Sequence, residues 1–314
     1  MADVPDAVRR LAAERDERRA AKDFAAADAL RDRIADLGYR VVDAASGTTL
    51  EPAGTPGGSP RLRPQGVPSA VEVAPRFDAS VHWLVEGWPQ DVVRALGAFR
   101  RLAGGRAVQY IVADVTGQAE RAFAEQTDVE LVPLVDGTGW AAARNAGLRR
   151  TQGRVVLVVD GSIEPTGDVL GPLEDALADP GVGVCGPFGI VTRDLNGFES
   201  SDGPDVDAIE GYLMAFRRDV VTQVGGFDER FRWYRTADVE LSFRIKELGL
   251  RAVVVDVPVE RHEHRMWTAA TEDERARWSK RNFNRFLGRF RGRFDLTVAG
   301  ATADGQTGAN REPG

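Results

Sequence analysis

The run Gly139-Trp-Ala-Ala-Ala-Arg-Asn-Ala-Gly-Leu148, followed at once by Val155-Val-Leu-Val-Val-Asp-Gly-Ser162, constrains this chain more than any other stretch. The first part predicts a helix closed by a short turn. The second is an unbroken apolar run ended by an acid, which predicts a strand buried on both faces and hence a parallel sheet covered by helices. In open sheets of that kind, ligands sit beyond the carboxyl ends of the strands. Asp160 is therefore placed where a ligand or a metal would be.

The flanking sequence repeats the pattern. Val81 to Val85 reads as a first strand and Pro89 to Leu102 as an amphipathic helix. Val108 to Ala113 is a second strand ending at Asp114, and Val129 to Pro133 a third. Such alternation predicts an α/β fold: a right-handed, doubly wound, mostly parallel sheet with flanking helices. Further on, Asp219 to Val224 reads as a helix closed by Gly225-Gly226, Asp238 opens another helix, and Ala252 to Val257 is an apolar strand.

Composition sets outer bounds. The 314 residues, 43% hydrophobic and 28% charged, suit a soluble globular chain of one or two domains. A net charge of −7 argues against general nucleic-acid binding, which needs clustered Lys and Arg. The one cysteine, Cys185, excludes an intrachain disulfide and a multi-cysteine zinc site, and its Gly-Val-Cys-Gly-Pro setting reads as a small buried strand residue. No apolar run approaches the roughly 20 residues of a membrane span. The start, Met-Ala-Asp-Val-Pro-Asp, lacks the basic and apolar parts of a signal peptide. The expectation is a cytoplasmic protein, with peripheral membrane contact left open.

Four segments are expected: residues 1–50, a helical hairpin with a short β-hairpin; 51–77, a Pro/Gly-rich linker; 78–298, the α/β domain; and 299–314, a disordered tail. In the first, Phe24, Ala27, Leu30, Ile34 and Leu37 share one helical face, Gly38 stands at the C′ position, and Tyr39 to Leu50 alternates and turns like a β-hairpin.

With Gly211-Tyr-Leu-Met-Ala-Phe-Arg-Arg-Asp219, Val224-Gly-Gly-Phe-Asp-Glu-Arg-Phe231 and Asp238-Val-Glu-Leu-Ser-Phe-Arg244, these elements stand in the order and near the spacing of family 2 glycosyltransferases. The chain resembles that family over about residues 78–296. The resemblance implies a GT-A fold, a nucleoside-diphosphate sugar as donor, a hydroxyl acceptor, a single inverting displacement, and Mg²⁺ or Mn²⁺ as cofactor.

The resemblance also assigns residues. Asp114 would accept a hydrogen bond from the nucleobase, and Arg144 would approach the base and diphosphate, where a forked, permanently charged guanidinium is apt. Asp160-Gly-Ser162 stands where the family has carboxylates at both ends, the second on the metal; Ser162 is neutral. Hard cations prefer charged oxygens, so Glu164, which shares a face with Asp160 in extended chain, is the expected substitute. His262 and His264, two of only 3 histidines, fall where the family often has a His near the diphosphate or metal; which of them points inward stays open. Gly211 would allow close backbone approach to the acceptor sugar. Asp238 would be the catalytic base, although Ala237 replaces the family's Glu before it and a plain N-cap explains the same residue. The first strand ends Val85-Glu-Gly-Trp88 where the family has Pro-Thr-Tyr-Asn.

These departures keep a second reading open: a catalytically inactive nucleotide-sugar-binding or scaffold protein, linked to translation through its N-terminal hairpin. A nucleotidyltransferase would need a Gly-rich, basic phosphate loop, and none is seen. Residues 22–33 and 37–43 resemble the extreme C-terminal element of bacterial cysteinyl-tRNA synthetases. The zinc site and ATP signature of those enzymes are missing, so aminoacylation is not implied. Balanced charge favours a protein-contact or folding role for this element over tRNA contact.

Overall fold

The computed structural model describes residues 4–37, 39–44, 47–52 and 60–300; Gly38 and the tail from residue 301 lie outside them. The N-terminal unit contains helices α1 (Asp6–Ala20) and α2 (Phe24–Asp36), and strands β1 (Tyr39–Ala44) and β2 (Gly47–Pro52), paired antiparallel. Val8, Ala12, Ile34 and Val41 form its small core. Ala27, Leu30 and Ile34 are buried as expected, but Phe24 and Leu37 are 59% and 49% exposed. They sit at the two ends of α2, beyond the reach of so short a core.

The first half of the larger unit alternates as expected: β3 (Phe77–Val85), α3 (Pro89–Arg101), β4 (Val108–Asp114), α4 (Ala119–Ala122), β5 (Val129–Pro133), α5 (Trp140–Leu148) and β6 (Gly153–Val159). After them come β7 (Ile163–Pro165), α6 (Leu170–Leu177), β8 (Val182–Gly186), and the short strands β9 (Gly189–Val191), β10 (Glu199–Ser201), β11 (Asp205–Val206) and β12 (Ala208–Ile209). The second half continues with β13 (Leu213–Arg217), α7 (Arg218–Val224), α8 (Ala237–Glu247), β14 (Arg251–Val254), β15 (Val259–Arg261), α9 (Arg265–Ala269) and α10 (Glu272–Phe290).

Eight strands form the main sheet in the order β11-β14-β8-β13-β6-β3-β4-β5. Strands β3 to β6 are parallel, whereas β13 runs antiparallel between β6 and β8. That reversal positions the site. Because Leu213 pairs with Val159, the residues entering β13 arrive at the sheet end where β6 gives way to Asp160.

Alternation along β3 divides the core. Val81, Trp83 and Val85 pack with Leu96 and Phe99 of α3, Trp83 meeting Phe99 edge-on at 5.3 Å. Leu84 packs on the other face with Trp140, Ala143 and Ala146 of α5. Cys185 is free and buried, as its sequence setting suggested. No helix among the described residues is long and apolar enough to cross a membrane.

The expected linker is shorter than its composition suggested. Leu62 bridges Leu134 at the edge of the sheet, donating to Pro133 and accepting from Val135. Val67 and Ala70 are buried, and Arg149, Arg150 and Arg218 donate to the carbonyls of Val67, Pro68 and Ala70. Pro/Gly content marks the absence of regular structure, not the absence of packing, and this segment covers an otherwise open sheet edge. We expect a chain lacking residues 1–59 to melt cooperatively. A chain lacking 1–70 should melt several degrees lower, because it exposes that edge and empties two buried apolar positions. Equal melting temperatures by circular dichroism would contradict this placement.

Candidate active site

The carboxyl end of β6 meets the entry to β13, and the Asp160 N–H donates to the Tyr212 carbonyl at 2.9 Å. Asp160 Oδ1 accepts from the backbone and hydroxyl of Ser162, at 2.9 and 2.5 Å. Oδ2 is left facing His264 Nε2 at 3.6 Å. Ser162 thus fixes the orientation of the carboxylate instead of adding a charge. His264 Nδ1 accepts from the Trp267 N–H, which puts the ring proton on Nε2, toward Asp160. The ring lies between Tyr234 and Tyr212, 4.5 and 5.6 Å away.

Arg144 projects from α5 beneath the same point. Its Nη1 donates to carbonyls of the neighbouring strands, His82 within β3 at 3.3 Å and Val159 at the end of β6 at 3.2 Å, while Nε has no partner. The side chain is 2% exposed yet lines the cavity described below, so a buried cation with unused donor capacity faces the cleft. Burial lowers its pKa from the usual value, and Asp160 and Glu86 oppose that shift.

His82 holds this arginine from below. Its Nε2 lies 3.0 Å from the Arg144 carbonyl, and a Cβ on Gly147 would fall 2.3 Å from its ring, so only glycine fits there. Asn145 makes a reciprocal pair of bonds with the Phe227 backbone, both at 2.8 Å, and so pins α5 to the turn before α8. The first α5 N–H groups, of Trp140 and Ala141, donate to Arg232 and Phe231 carbonyls. They are already used, and no anion is needed to satisfy them.

Burial, aided by Arg144, pushes the His82 pKa down to about 3. The unfolded chain takes up a proton near 6.5 and the folded ring does not, so stability is full above 6.5 and is lost as pH falls from there toward 3. The slope is at most about 1.4 kcal/mol per pH unit. We expect the melting temperature of wild type to drop more steeply below about pH 6.5 than that of His82→Gln. Parallel pH profiles would contradict the assignment.

The opposite wall carries Asp238, the second residue of α8. Its Oδ2 accepts from the Gly211 N–H at 2.7 Å and its Oδ1 from the Val239 N–H at 2.9 Å. The helix N-cap is Thr236, with a left-handed φ of 71°, so Asp238 is not the cap. It ties the start of α8 to the entry of β13 instead. A Cβ on Gly211 would touch it at 3.3 Å. Burial raises the Asp238 pKa, against the pull of these two N–H groups and of Arg235. Thr236 carries backbone strain of the kind that collects at functional sites.

A cavity of about 600 Å³ brings Arg144, Asp160, His264, Gly211 and Asp238 together, with Tyr212 and Tyr234 on its wall and Arg235 and Lys280 among its lining. A second cavity of about 40 Å³ opens on the far side of Asp160 and includes Glu86, Trp88, Ser162 and His264.

Three expected residues stand elsewhere. Asp114 is 1% exposed and lines neither cavity; its carboxylate takes the N–H groups of Thr116, Gly117 and Ala119 and the Thr116 hydroxyl. A strand-ending acid followed by Thr and Gly forms such a closed turn readily. Glu164 and His262 pair at 3.0 Å on the β7–β15 ladder, and Arg94 joins Glu164 at 3.1 Å. Glu164 therefore does not substitute for the charge missing at Ser162. Of the two histidines, the inward one is His264. Among the described residues, no three His, Cys, Asp or Glu side chains converge as a metal cluster.

Two carboxyls escaped the sequence reading. Burial pushes Glu86 up to about 8; Arg144 lowers it and Asp160 adds to the rise. Glu210 is raised by burial and by Asp238, against Arg261 and Arg235. Each directly follows a strand, Glu86 after β3 and Glu210 after β12. That position is the only sequence signal they carry.

Residues 197–280, which supply Gly211, Asp238 and His264, match a family model described as glycosyltransferase like family 2. Among solved structures, the chain is similar to the mannosyltransferase PcManGT from Pyrobaculum calidifontis in complex with GDP-Man and Mn²⁺. That likeness has 20% identity and a TM-score of 0.51, over 78% of this chain and 79% of that one. Residues 197–280 are thus similar to that family, and the larger unit has the GT-A fold. A second likeness is to GalNAc-T7 with UDP, GalNAc and Mn²⁺, at 14% identity and a TM-score of 0.49; it covers 57% of this chain but spans only 42% of that one. A search of curated protein sequences returns no match. In this GT-A domain the large cavity joins the β6 end, with Arg144 and Asp160, to the α8 wall, with Asp238.

Proposed function

We propose that this protein is an inverting glycosyltransferase that moves a sugar from a nucleoside-diphosphate sugar to a hydroxyl acceptor. The observation that carries the proposal is one 600 Å³ cavity with Arg144, Asp160 and His264 on one wall and the raised carboxyl of Asp238 on the other; a shallow groove of similar volume beside Val71–Pro75 and α7 gathers no such set of groups. That volume is in the range of ligand sites, about 300–1,000 Å³, whereas the 40 Å³ cavity beyond Asp160 is far below it. The buried Arg144 would receive the diphosphate, its free Nε marking unused donor capacity. Asp238 would take the acceptor proton. Its raised pKa brings the base closer to neutral pH, where proton transfer is most effective. Gly211 keeps the backbone close to that carboxylate, and Tyr212 and Tyr234 offer flat apolar faces to a sugar ring.

A divalent cation fits Asp160 and His264, a hard oxygen and a borderline nitrogen. When bound it would offset charge on the leaving diphosphate. With only two protein donors, coordination must be completed by the diphosphate or water, as is usual for Mg²⁺ beside substrate phosphates. Coordination through His264 Nε2 requires the ring proton on Nδ1, so metal and the α9 cap compete for this side chain.

Residues 1–50 belong to the same proposal as a protein-contact unit, in keeping with the exposed Phe24 and Leu37. A cytoplasmic location suits the single, unpaired Cys185. The test is incubation of the full chain with a panel of UDP- and GDP-sugars, Mn²⁺ and hydroxyl acceptors, reading freed nucleoside diphosphate. Release that depends on the donor and rises with acceptor, giving a product of inverted anomeric configuration, is expected. Binding without release across the panel would leave only the non-catalytic reading.

A further inference from the structure

Helix α10 departs from the acidic character of the rest of the chain. After an acidic first turn of Glu272, Asp273 and Glu274, every charged residue from Arg275 to Phe294 is Lys or Arg, in a protein whose net charge is −7. Some of these cations are used internally. Arg289 and Arg293 pair with Glu247, and Arg285 donates to the Arg230 carbonyl. Arg277, Lys280, Arg281 and Arg291 are exposed, and none of them forms an ion pair among the described residues. At 3.6 residues per turn, all four fall within an arc of about 100°, in which the one acid is Asp273 at the start of the helix. Asn282, Phe286 and Phe290 are buried on the opposite face.

This face adjoins the mouth of the large cavity, because Ser279, Lys280 and Phe283 of the same helix line it. Ile190 and Phe198 add an apolar wall there, and Phe294 stands 46% exposed just past the helix. The partner must therefore offer dense negative charge together with apolar material. A nucleic acid supplies the charge but, as apolar material, only base faces that stack on aromatic rings, whereas lipid chains suit aliphatic and aromatic side chains alike.

We infer that the α10 face docks the protein on an anionic lipid bilayer, with the cavity mouth turned toward the membrane surface. Basic clusters are drawn to anionic lipid, and apolar side chains at their margin enter the headgroup boundary. The inference stands apart from the glycosyltransferase reading, since it concerns a surface and not the cavity chemistry.

The test is flotation of the full chain with phosphatidylcholine vesicles and with 7:3 phosphatidylcholine–phosphatidylglycerol vesicles. Binding to the anionic vesicles only is expected, with loss near 0.5 M NaCl because screening shortens the reach of these charges. Arg277→Gln/Arg281→Gln/Arg291→Gln should weaken partitioning by about 100-fold. Its melting temperature and nucleotide binding should match wild type, which separates this result from any failure of the cavity reading. If the triple variant does not fold, the salt dependence of wild type and the single variant Arg281→Gln, at about fivefold, decide the matter. Absence of binding to anionic vesicles, equal binding to neutral ones, or stronger retention on RNA than on vesicles would overturn the inference.

Discussion

Asp238→Asn should reduce turnover by about 10²-fold or more while leaving donor binding near the wild-type level. The amide oxygen can still accept from one of the two N–H groups now bound, Gly211 or Val239, but the amide nitrogen must face the other. One hydrogen bond to a charged group is lost, so stability should fall by about 1–3 kcal/mol. Turnover and binding must be measured on one preparation, because a loss of both would report a distorted cleft and not a missing base. An Asn variant that turns over at near wild-type rate, once a donor and acceptor are found, removes Asp238 from the mechanism.

Arg144→Ala should have the larger structural effect. The guanidinium bonds the carbonyls of His82 and Val159 and is the cation acting on Glu86 and Asp160. Without it two buried strand carbonyls lose their donor, and the Glu86 and Asp160 carboxyls are left without a neutralising charge. Removing one partner from a buried charged network costs about 3–5 kcal/mol. Nucleoside-diphosphate affinity should drop by about 10²-fold, the loss of a forked, charge-assisted contact. Arg144→Lys keeps the charge but not the fork, so it should recover stability more than affinity. Calorimetric titration beside thermal melts separates the two, and unchanged affinity in Arg144→Ala would take this residue out of the donor site.

How far the sequence was legible depended on how local the physics was. Strands β3 to β6 and helices α3 and α5 could be read because burial on both faces leaves an unbroken apolar run and helix packing leaves a 3.6-residue period. The places of Asp160 and Asp238 on the cavity wall could be read because each stands where a regular element begins or ends. What the sequence left hidden was the set of partners each side chain takes in the folded chain. Asp114 has the position of a base-reading acid, but the Thr116-Gly117 turn captures its carboxylate. Glu164 does follow Ser162 by two residues, yet β7 carries it into the ladder with β15, where His262 and Arg94 hold it. The inward choice of His264 over His262 follows from register along that ladder, and a single sequence does not encode register openly. The role of His82 was hidden for the same reason: its partner, Arg144, is 62 residues away.

The central claim is that Arg144, Asp160 and His264 form one wall of a donor site that a cation completes only together with diphosphate. Thermal shift of the full chain with UDP, GDP and their sugars, each with and without Mn²⁺, tests this most directly. At ligand concentrations near 100 times the dissociation constant, one nucleotide with Mn²⁺ should raise the melting temperature by about 5 °C or more, because binding to the native state stabilises it by mass action. Mn²⁺ alone should give no shift, and Asp160→Ala should abolish the part of the nucleotide shift that depends on the metal. A full shift from Mn²⁺ without nucleotide, or an Asp160→Ala protein that responds as wild type does, would contradict the account.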